Sequence, residues 1–507
     1  MPRRPGTTLS RRDRTSAIPV VPFHDGEAVR DALIDRLRSI AGPLDIDPAA
    51  AQGSSEEGAA RLILGYLDLL KRTQRDSVAW LILVAMFGRY PIEEEVLELR
   101  RLAITDDLAL VANNVLARHF GSADGNSTTR LEVIRGAAIA DIDFSAKSLH
   151  NTGIQRVVRN SAPILAARHG VVLAAWTDRG HGLRRLSASE LARVGNASAS
   201  IAAGADAVSE AILVPLEGSL LLTEVPSVER SPGLAALARF SGISVSAIGY
   251  DTIPIISRGS VNRREAVKFA KFLAVVKWAD SVAAISGAAA GEFRGFVDML
   301  GSQGLVGPRV VECLLPSDAV RPVVVSGRDR PLVAVVGSKE PRKNHVAVLF
   351  AAERLWREGL DFELLFVGTY GWDTRLFRRW LKRLRKAGRP VSAPARVGDD
   401  GLWRAYAEAR FTVFPSLHEG YGLPVAESLS YGTPVITTVY GSTGEIAAGG
   451  GCVTVDPRDD EQIVDAMRLL LTDDVVLERL RGEARSREVK SWEQYAAEVW
   501  SVVAGGR

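Results

Sequence analysis

Two glutamates and a basic pair are the residues of this chain best suited to chemistry. Glu419 and Glu427 flank the turn in His418–Thr438, HEGYGLPVAESLSYGTPVITT. A carboxylate accepts hydrogen bonds through two oxygens and can hold a vicinal diol. Between the acids lie Gly420 and Gly422, which let a backbone approach a ligand closely. Pro424 suits the first position of a helix. A helix N-terminus carries free N–H groups and a partial positive charge, so it receives phosphate. Acids around an anion-receiving turn match a ligand with hydroxyls at both ends and a diphosphate in the middle. The plainer alternative makes Glu427 a complement to the helix dipole and Glu419 a surface loop residue. For one glutamate alone that alternative would win; for the full string it does not.

A second stretch supplies cations. In Val335–Leu355, VVGSKEPRKNHVAVLFAAERL, Gly337 ends a strand. Arg342 and Lys343 stand just before a helix that starts at Asn344 or His345. Two cations beside a helix N-terminus make a strong diphosphate site. An Arg-Lys pair in a loop is ordinarily solvated surface, but this one follows the first strand of a nucleotide-binding pattern. Lys339 is a weaker candidate of the same kind.

These residues need strands and helices to position them. The chain has 507 residues, too long for one domain. From about Leu131, apolar strands such as AAIADIDF, VVLAAWT, SLLLTEV, ISVSAIGYD and SVAAIS alternate with helices. A second series runs through PLVAVVGS, DFELLFVG, ARFTVFPS, TPVITT and GCVTVDP. Such alternation predicts parallel strands with crossover helices. The fold class is α/β: two doubly wound, Rossmann-like domains at residues 131–325 and 326–507, linked near Val324–Pro331 and facing a cleft. Ligands in such sheets lie at the carboxyl ends of the strands. Residues 55–130 repeat apolar positions at helical spacing and predict a small helical domain. Residues 1–54, rich in Pro, Arg, Asp and Gly, predict a loosely ordered basic region. A helix around WEQYAAEVWSVV ends the chain and crosses back to the earlier domain.

Composition excludes several classes. The formal net charge is +3, too small to argue for nucleic acid. Two distant cysteines, Cys313 and Cys452, fit a reducing compartment without a disulfide framework. VAWLILVAMF, Val78–Phe87, is about half the length that a membrane span needs and reads as a buried helix. The basic N-terminus lacks the apolar core of a signal peptide, so a cytoplasmic location is expected.

The frame FPSLHEGYGLPVAESLSYGTPVI closely resembles the signature of the retaining family 4 glycosyltransferases of GT-B fold. The resemblance implies that Glu419 contacts a donor sugar and Glu427 the nucleotide ribose. It places Gly420, Tyr421, Gly422 and Leu423 against sugar and diphosphate, with Gly337 nearby and Arg342 and Lys343 on the phosphates. The string TGIQRV around Gly153 is similar to bacterial mannosyl- and rhamnosyltransferase-like members, and it puts Gly153 across the cleft from the donor phosphates. AIGYDTIPI carries Tyr250-Asp251 where relatives have His-Asp lining the sugar pocket. Asp251 therefore either contacts sugar or acceptor or caps the turn before Pro254. Ser286, at the end of SVAAIS, reads as a helix cap.

The implied activity is hexosyl transfer from a nucleoside-diphosphate sugar to a glycan or lipid-linked acceptor in polysaccharide assembly, with no cofactor and no metal. Asp141-Ile142-Asp143 matches an Asp-x-Asp metal motif only superficially, since it precedes the first strand's loop. Arg342 and Lys343 can supply the charge that a metal supplies elsewhere. The competing readings are a catalytically silent nucleotide-sugar-binding scaffold, a phosphorylase or an epimerase. Arg375–Arg389, RLFRRWLKRLRKAGR, is a basic amphipathic helix with Leu376, Phe377, Trp380, Leu381 and Leu384 on one face. It reads as a sheet-covering helix, or as a peripheral contact with anionic lipid. The region before residue 131 lies outside the resemblance and is open to oligomerisation, membrane docking or partner binding. Base recognition is expected from backbone near Arg396 and Val397.

Overall fold

Strands of β-branched and apolar residues build two large sheets. The computed structural model describes residues 27–47, 55–121, 128–149, 152–195, 210–257, 259, 261–316, 327–394 and 397–505. In the first sheet the strands run Leu183–Arg185, Val172–Trp176, Ala138–Asp141, Ser219–Leu222, Ser244–Gly249, Ser281–Ala284 and Arg309–Glu312. All neighbours are parallel except Leu183–Arg185, which returns antiparallel on Val172–Trp176. In the second sheet the order is Val391–Ser392, Glu363–Val367, Leu332–Val336, Phe411–Phe414, Val435–Thr438 and Cys452–Val455, all parallel. Crossover helices cover both faces of such sheets, so their inner strands are buried on both sides. Leu332–Val336 and Phe411–Phe414 are buried at every position. Strand order reverses at Ala138–Asp141 in one sheet and at Leu332–Val336 in the other, which sets the ligand crevice beside their carboxyl ends.

Five helices precede the first sheet among the described residues: Glu27–Ala41, Ser55–Thr73, Asp76–Phe87, Glu93–Thr105 and Leu108–Gly121. The first of them corrects the expectation that residues 1–54 are loosely ordered. Leu33, Ile34, Leu37 and Ile40 recur at helical spacing and are buried, a pattern that the neighbouring Arg and Asp residues obscure. Arg36 is buried with them. Its Nε donates to the Ala85 carbonyl at 2.7 Å and one terminal nitrogen to Met86 at 3.3 Å. These are carbonyls left over at the end of Asp76–Phe87, where a cation is favourable. Residues 1–26 lie outside the described residues.

Every residue from Val78 to Phe87 is buried, as befits a helix that is apolar all round. The helical region is not a detached unit. One core runs from Leu37 and Leu62 through Trp80 to Val214, Leu222 and Phe272. The Tyr90 hydroxyl crosses to the Leu213 carbonyl at 2.7 Å. The helices thus form an added layer over one face of the first sheet.

The opposite face packs Gly153–His169 and the final helix, Trp492–Ala504. That helix opens on a capping box of Ser491 and Gln494. It returns from the second domain to bury Tyr495 and Val499 beside Ala140 and Val157. Trp500 stacks on His169, ring centroids 4.7 Å apart. In Arg375–Lys386, Phe377, Leu381 and Leu384 are buried, whereas Leu376, expected on the same apolar face, is exposed.

Candidate active site

Local sequence shapes the donor-side turn as its residue types require. The strand Phe411–Phe414 delivers the loop, and Leu423–Ser430 is the helix with Pro424 in its first turn. Gly422 stands at the N-cap with φ +109°, a conformation open to glycine. On the other strand, Pro341–Lys343 forms a single 3₁₀ turn, and His345–Arg357 starts immediately after it.

Glu419 is gripped by both cations. Lys343 Nζ donates to Glu419 Oε1 at 2.6 Å, and an Arg342 terminal nitrogen lies 2.8 Å from Oε2. The same Arg342 nitrogen donates to the His418 carbonyl at 2.6 Å. Burial pushes the Glu419 carboxyl up, but the charges of Arg342 and Lys343 outweigh it and hold the group at about 2. Burial lowers Lys343, and the pull of Glu419 offsets this only in part. For Arg342 the burial is outweighed by Glu419, Glu340 and Asp251, and its pKa is raised. The site therefore carries a permanently ionised carboxylate between two cations.

Glu427 is buried within the next helix. Its Oε2 accepts from the Tyr406 hydroxyl at 2.6 Å. Its Oε1 accepts from Arg156, which belongs to the first domain. The Arg156 guanidinium also lies over the Trp403 ring, 5.8 Å from its centroid.

Several further contacts close the two domains on each other. A Cβ placed on Gly420 would stand 2.4 Å from the Tyr250 carbonyl oxygen and 2.8 Å from Asp251 Oδ2, so only glycine fits. Ser286 Oγ donates to the Gly420 carbonyl at 2.7 Å while accepting from Ala289 N at 3.0 Å as the helix cap. His418 is held between Glu292 Oε1, 2.6 Å from Nε2, and Ser257 Oγ, 2.7 Å from Nδ1. The Tyr421 hydroxyl donates to Leu315 at 2.7 Å. A Cβ on Gly153 would touch Leu423 Cδ1 at 3.7 Å. Two helix starts, Gly153 and Leu423, thus face each other across the cleft.

Other candidates sit differently from expectation. Tyr250 does not present its phenol to the cleft. The ring is buried and its hydroxyl donates to Thr223 at 2.8 Å, because the ring tucks beneath the sheet end. Asp251 is on the cleft, where Oδ1 accepts from Ile253 N at 3.1 Å. Burial drives its carboxyl up to about 6, against the pull of Arg342. Lys339 turns away from the basic pair. Its Nζ donates to the Gly368 carbonyl, and burial lowers it to about 8. Gly337 adjoins Lys343, whose Cε would lie 3.8 Å from an added Cβ. Asp141 accepts from Trp176 Nε1 at 2.9 Å, and Asp143 pairs with Lys147 and Arg230. Those carboxylates are spent on the sheet end. Among the described residues, no group of three or more His, Cys, Asp or Glu could hold a metal ion. Arg396 lies outside the described residues.

Arg156, Tyr406, His418, Glu292 and Ser286 complete the site and were not assigned to it by sequence. Their partners lie in other elements, so spacing alone does not point to them. Only the arginine's place one turn after Gly153 carried a signal.

Residues 317–487 match the family described as glycosyl transferases group 1. The C-terminal domain belongs to that family. The chain is 34% identical over 161 residues to O-antigen chain mannosyltransferase B of Escherichia coli, covering 31% of this chain and 42% of that one. The serotype-specific mannosyltransferase WbdA of Escherichia coli is 37% identical over 106 residues, 21% of this chain and 13% of that protein. The chain thus matches less than half the length of these curated relatives. Sucrose-phosphate synthase of Thermosynechococcus elongatus superposes with a TM-score of 0.54 at 15% identity, over 73% of this chain and 99% of that one. Anabaena HepE in complex with UDP and glucose gives 0.51 at 10% identity, over 73% and 99%. The fold carrying the group 1 domain is GT-B.

Proposed function

We propose that this chain is a retaining glycosyltransferase. It moves a hexose, of mannose or rhamnose type, from a nucleoside-diphosphate sugar to a glycan or lipid-linked acceptor in polysaccharide assembly. The observation that carries this reading is the Glu419 carboxylate held between Arg342 and Lys343 at 2.8 and 2.6 Å, in a loop that leads into a helix N-terminus. The chain's partial likeness to mannosyltransferases, 37% identity over 106 residues and 34% over 161, supports the choice of sugar.

Each part of the donor then has a partner. Glu427 takes ribose hydroxyls. Arg342, Lys343 and the N–H groups at the start of Leu423–Ser430 take the diphosphate. Glu419, ionised at any physiological pH, takes sugar hydroxyls. As the bond from the anomeric carbon to the phosphate oxygen breaks, negative charge grows on the leaving diphosphate. Preorganised donors stabilise it, with about 3 kcal/mol for one well-placed group. The acceptor hydroxyl attacks from the face the phosphate leaves, and the departing phosphate oxygen takes its proton. The products are the glycosylated acceptor and a nucleoside diphosphate, with configuration retained. Closure of the cleft excludes water and protects the donor from hydrolysis.

The basic helix Arg375–Lys386 supplies a peripheral contact with anionic lipid in this reading. Its seven Lys and Arg side chains have no acidic residue among them, and exposed Leu376 flanks them. Among the described residues, no helix is long and apolar enough to cross a membrane.

The test is a donor screen with GDP-mannose, GDP-rhamnose and UDP-glucose, following release of nucleoside diphosphate. Turnover by wild type that is lost in Glu419→Gln supports the reading. Tight binding of a nucleoside diphosphate with no turnover of any donor makes the chain a binding scaffold instead.

A further inference from the structure

Glu427 cannot take a ribose while Arg156 covers it from the opposite domain. Oε2 is taken by the Tyr406 hydroxyl at 2.6 Å, and Oε1 by the Arg156 guanidinium from the opposite domain. Glu427 is 2% exposed and Arg156 19%. Each carboxylate oxygen accepts more than one hydrogen bond, so Tyr406 can remain on Oε2, but a diol reaches so buried a carboxylate only when the Arg156 guanidinium leaves Oε1. Arg156 is also well placed for an anion. It lies in the first turn of Gly153–His169, one turn beyond Gly153, which faces Leu423 across the cleft. The diphosphate expected between Leu423, Arg342 and Lys343 is therefore a second destination for the same side chain.

We propose that Arg156 is a switching cation of the donor site. It holds Glu427 until a nucleotide arrives, then yields that carboxylate to the ribose and transfers to the diphosphate. The exchange makes the two halves of the ligand interdependent. A nucleoside alone must break the Arg156–Glu427 pair and gives the guanidinium no new counter-charge. A nucleoside diphosphate breaks the same pair and replaces it. Tyr406 stays on the carboxylate and keeps it oriented. Trp403, beneath the guanidinium, restricts the arc through which it turns. The inference rests on the donor-site reading above, in which Glu427 takes the ribose.

The experiment compares uridine and guanosine with UDP and GDP, by calorimetry on the full chain, in wild type, Arg156→Ala and Arg156→Lys. In Arg156→Ala the nucleoside should bind about tenfold tighter and the diphosphate about tenfold weaker, each the size of one charge-assisted hydrogen bond. The preference for diphosphate over nucleoside should therefore fall roughly a hundredfold. A purely structural bridge between domains would weaken both ligands together and leave that preference unchanged, which would overturn the inference. Arg156→Lys keeps a cation but loses the forked geometry. Its preference should fall between the other two, so this variant carries the test if Arg156→Ala does not fold. If wild type binds neither diphosphate, the donor-site reading itself falls and takes this inference with it. Normal diphosphate binding with an unmoved preference sinks the inference alone.

Discussion

Lys343 Nζ and Glu419 Oε1 are joined by a hydrogen bond of 2.6 Å inside the closed cleft, with Arg342 on the other carboxylate oxygen. This buried cluster has consequences for stability as well as for catalysis. Breaking a buried pair from one side leaves unpaired charge and costs roughly 3–5 kcal/mol. Glu419→Gln should therefore be less stable than wild type by about that free energy, read from denaturant unfolding. The acid limb should change too. Glu419 falls from an ordinary 4.5 to about 2 in the folded protein. Its stabilisation is thus complete above 4.5 and lost as pH drops towards 2. Wild type should lose stability through that window, and Glu419→Gln should lose less; parallel curves would contradict the account.

A histidine makes closure depend on pH. His418 sits between Glu292 and Ser257, and the Glu292 hydrogen bond raises its pKa above 6.5 despite burial. Burial raises Glu292, but His418 and the Thr252 donors outweigh it, so it stays ionised. Asp251 and Arg342 also face the ring, and they pull in opposite directions. A raised histidine contributes below its unfolded pKa and stops contributing as pH rises through the folded one. Donor affinity should therefore weaken on the alkaline side in wild type. In His418→Gln that dependence should flatten. An unchanged pH profile would show that the pair does not gate closure.

Gly420→Ala separates closure from folding. The added methyl would meet the Tyr250 carbonyl at 2.4 Å, and this carbonyl belongs to the other domain. Backbone cannot give way as a side-chain tip does, so the domains must part. Small-angle scattering should report a more open molecule, and transfer should fall by orders of magnitude. The unfolding midpoint should change little, because each domain's core is untouched. A closed, active variant would refute the close approach.

The basic helix predicts a salt-sensitive surface interaction. Arg379, Lys382 and Lys386 are exposed on Arg375–Lys386. Each basic side chain at an anionic surface is worth about 1 kcal/mol. Replacing all three with Gln should weaken partition onto vesicles containing phosphatidylserine by roughly a hundredfold. Partition should also fall as salt is raised. Equal partition of wild type and variant would reduce the helix to a sheet cover.

Legibility was greatest where one short stretch carries both its own fold and its own chemistry. FTVFPSLHEGYGLPVAES carries a strand, turn and helix in one run; Gly422 takes a positive φ and Pro424 falls in the first helical turn, as their types predict. The alternation of strands and helices likewise revealed two doubly wound sheets. The short strands Leu183–Arg185, Arg309–Glu312 and Val391–Ser392 escaped, since two to four residues hold too little pattern. Glu27–Ala41 escaped because Arg36 looks like a solvent residue yet is buried on backbone carbonyls. Tyr250 was drawn to the cleft by its neighbour Asp251, although alternation along the strand end turns the two side chains opposite ways. The cross-cleft partners were hidden for a topological reason. Arg156 and Glu427 lie 271 positions apart, and nothing local in either segment encodes the other.

The most direct test of the central claim is nucleoside diphosphate release from a sugar-nucleotide panel, with wild type and Glu419→Gln assayed side by side at pH 7. Wild type should turn over at least one donor in the presence of acceptor. Glu419→Gln should bind the matching nucleoside diphosphate yet release none from the sugar donor. No turnover by folded wild type with any donor, or undiminished turnover by Glu419→Gln, would contradict the account.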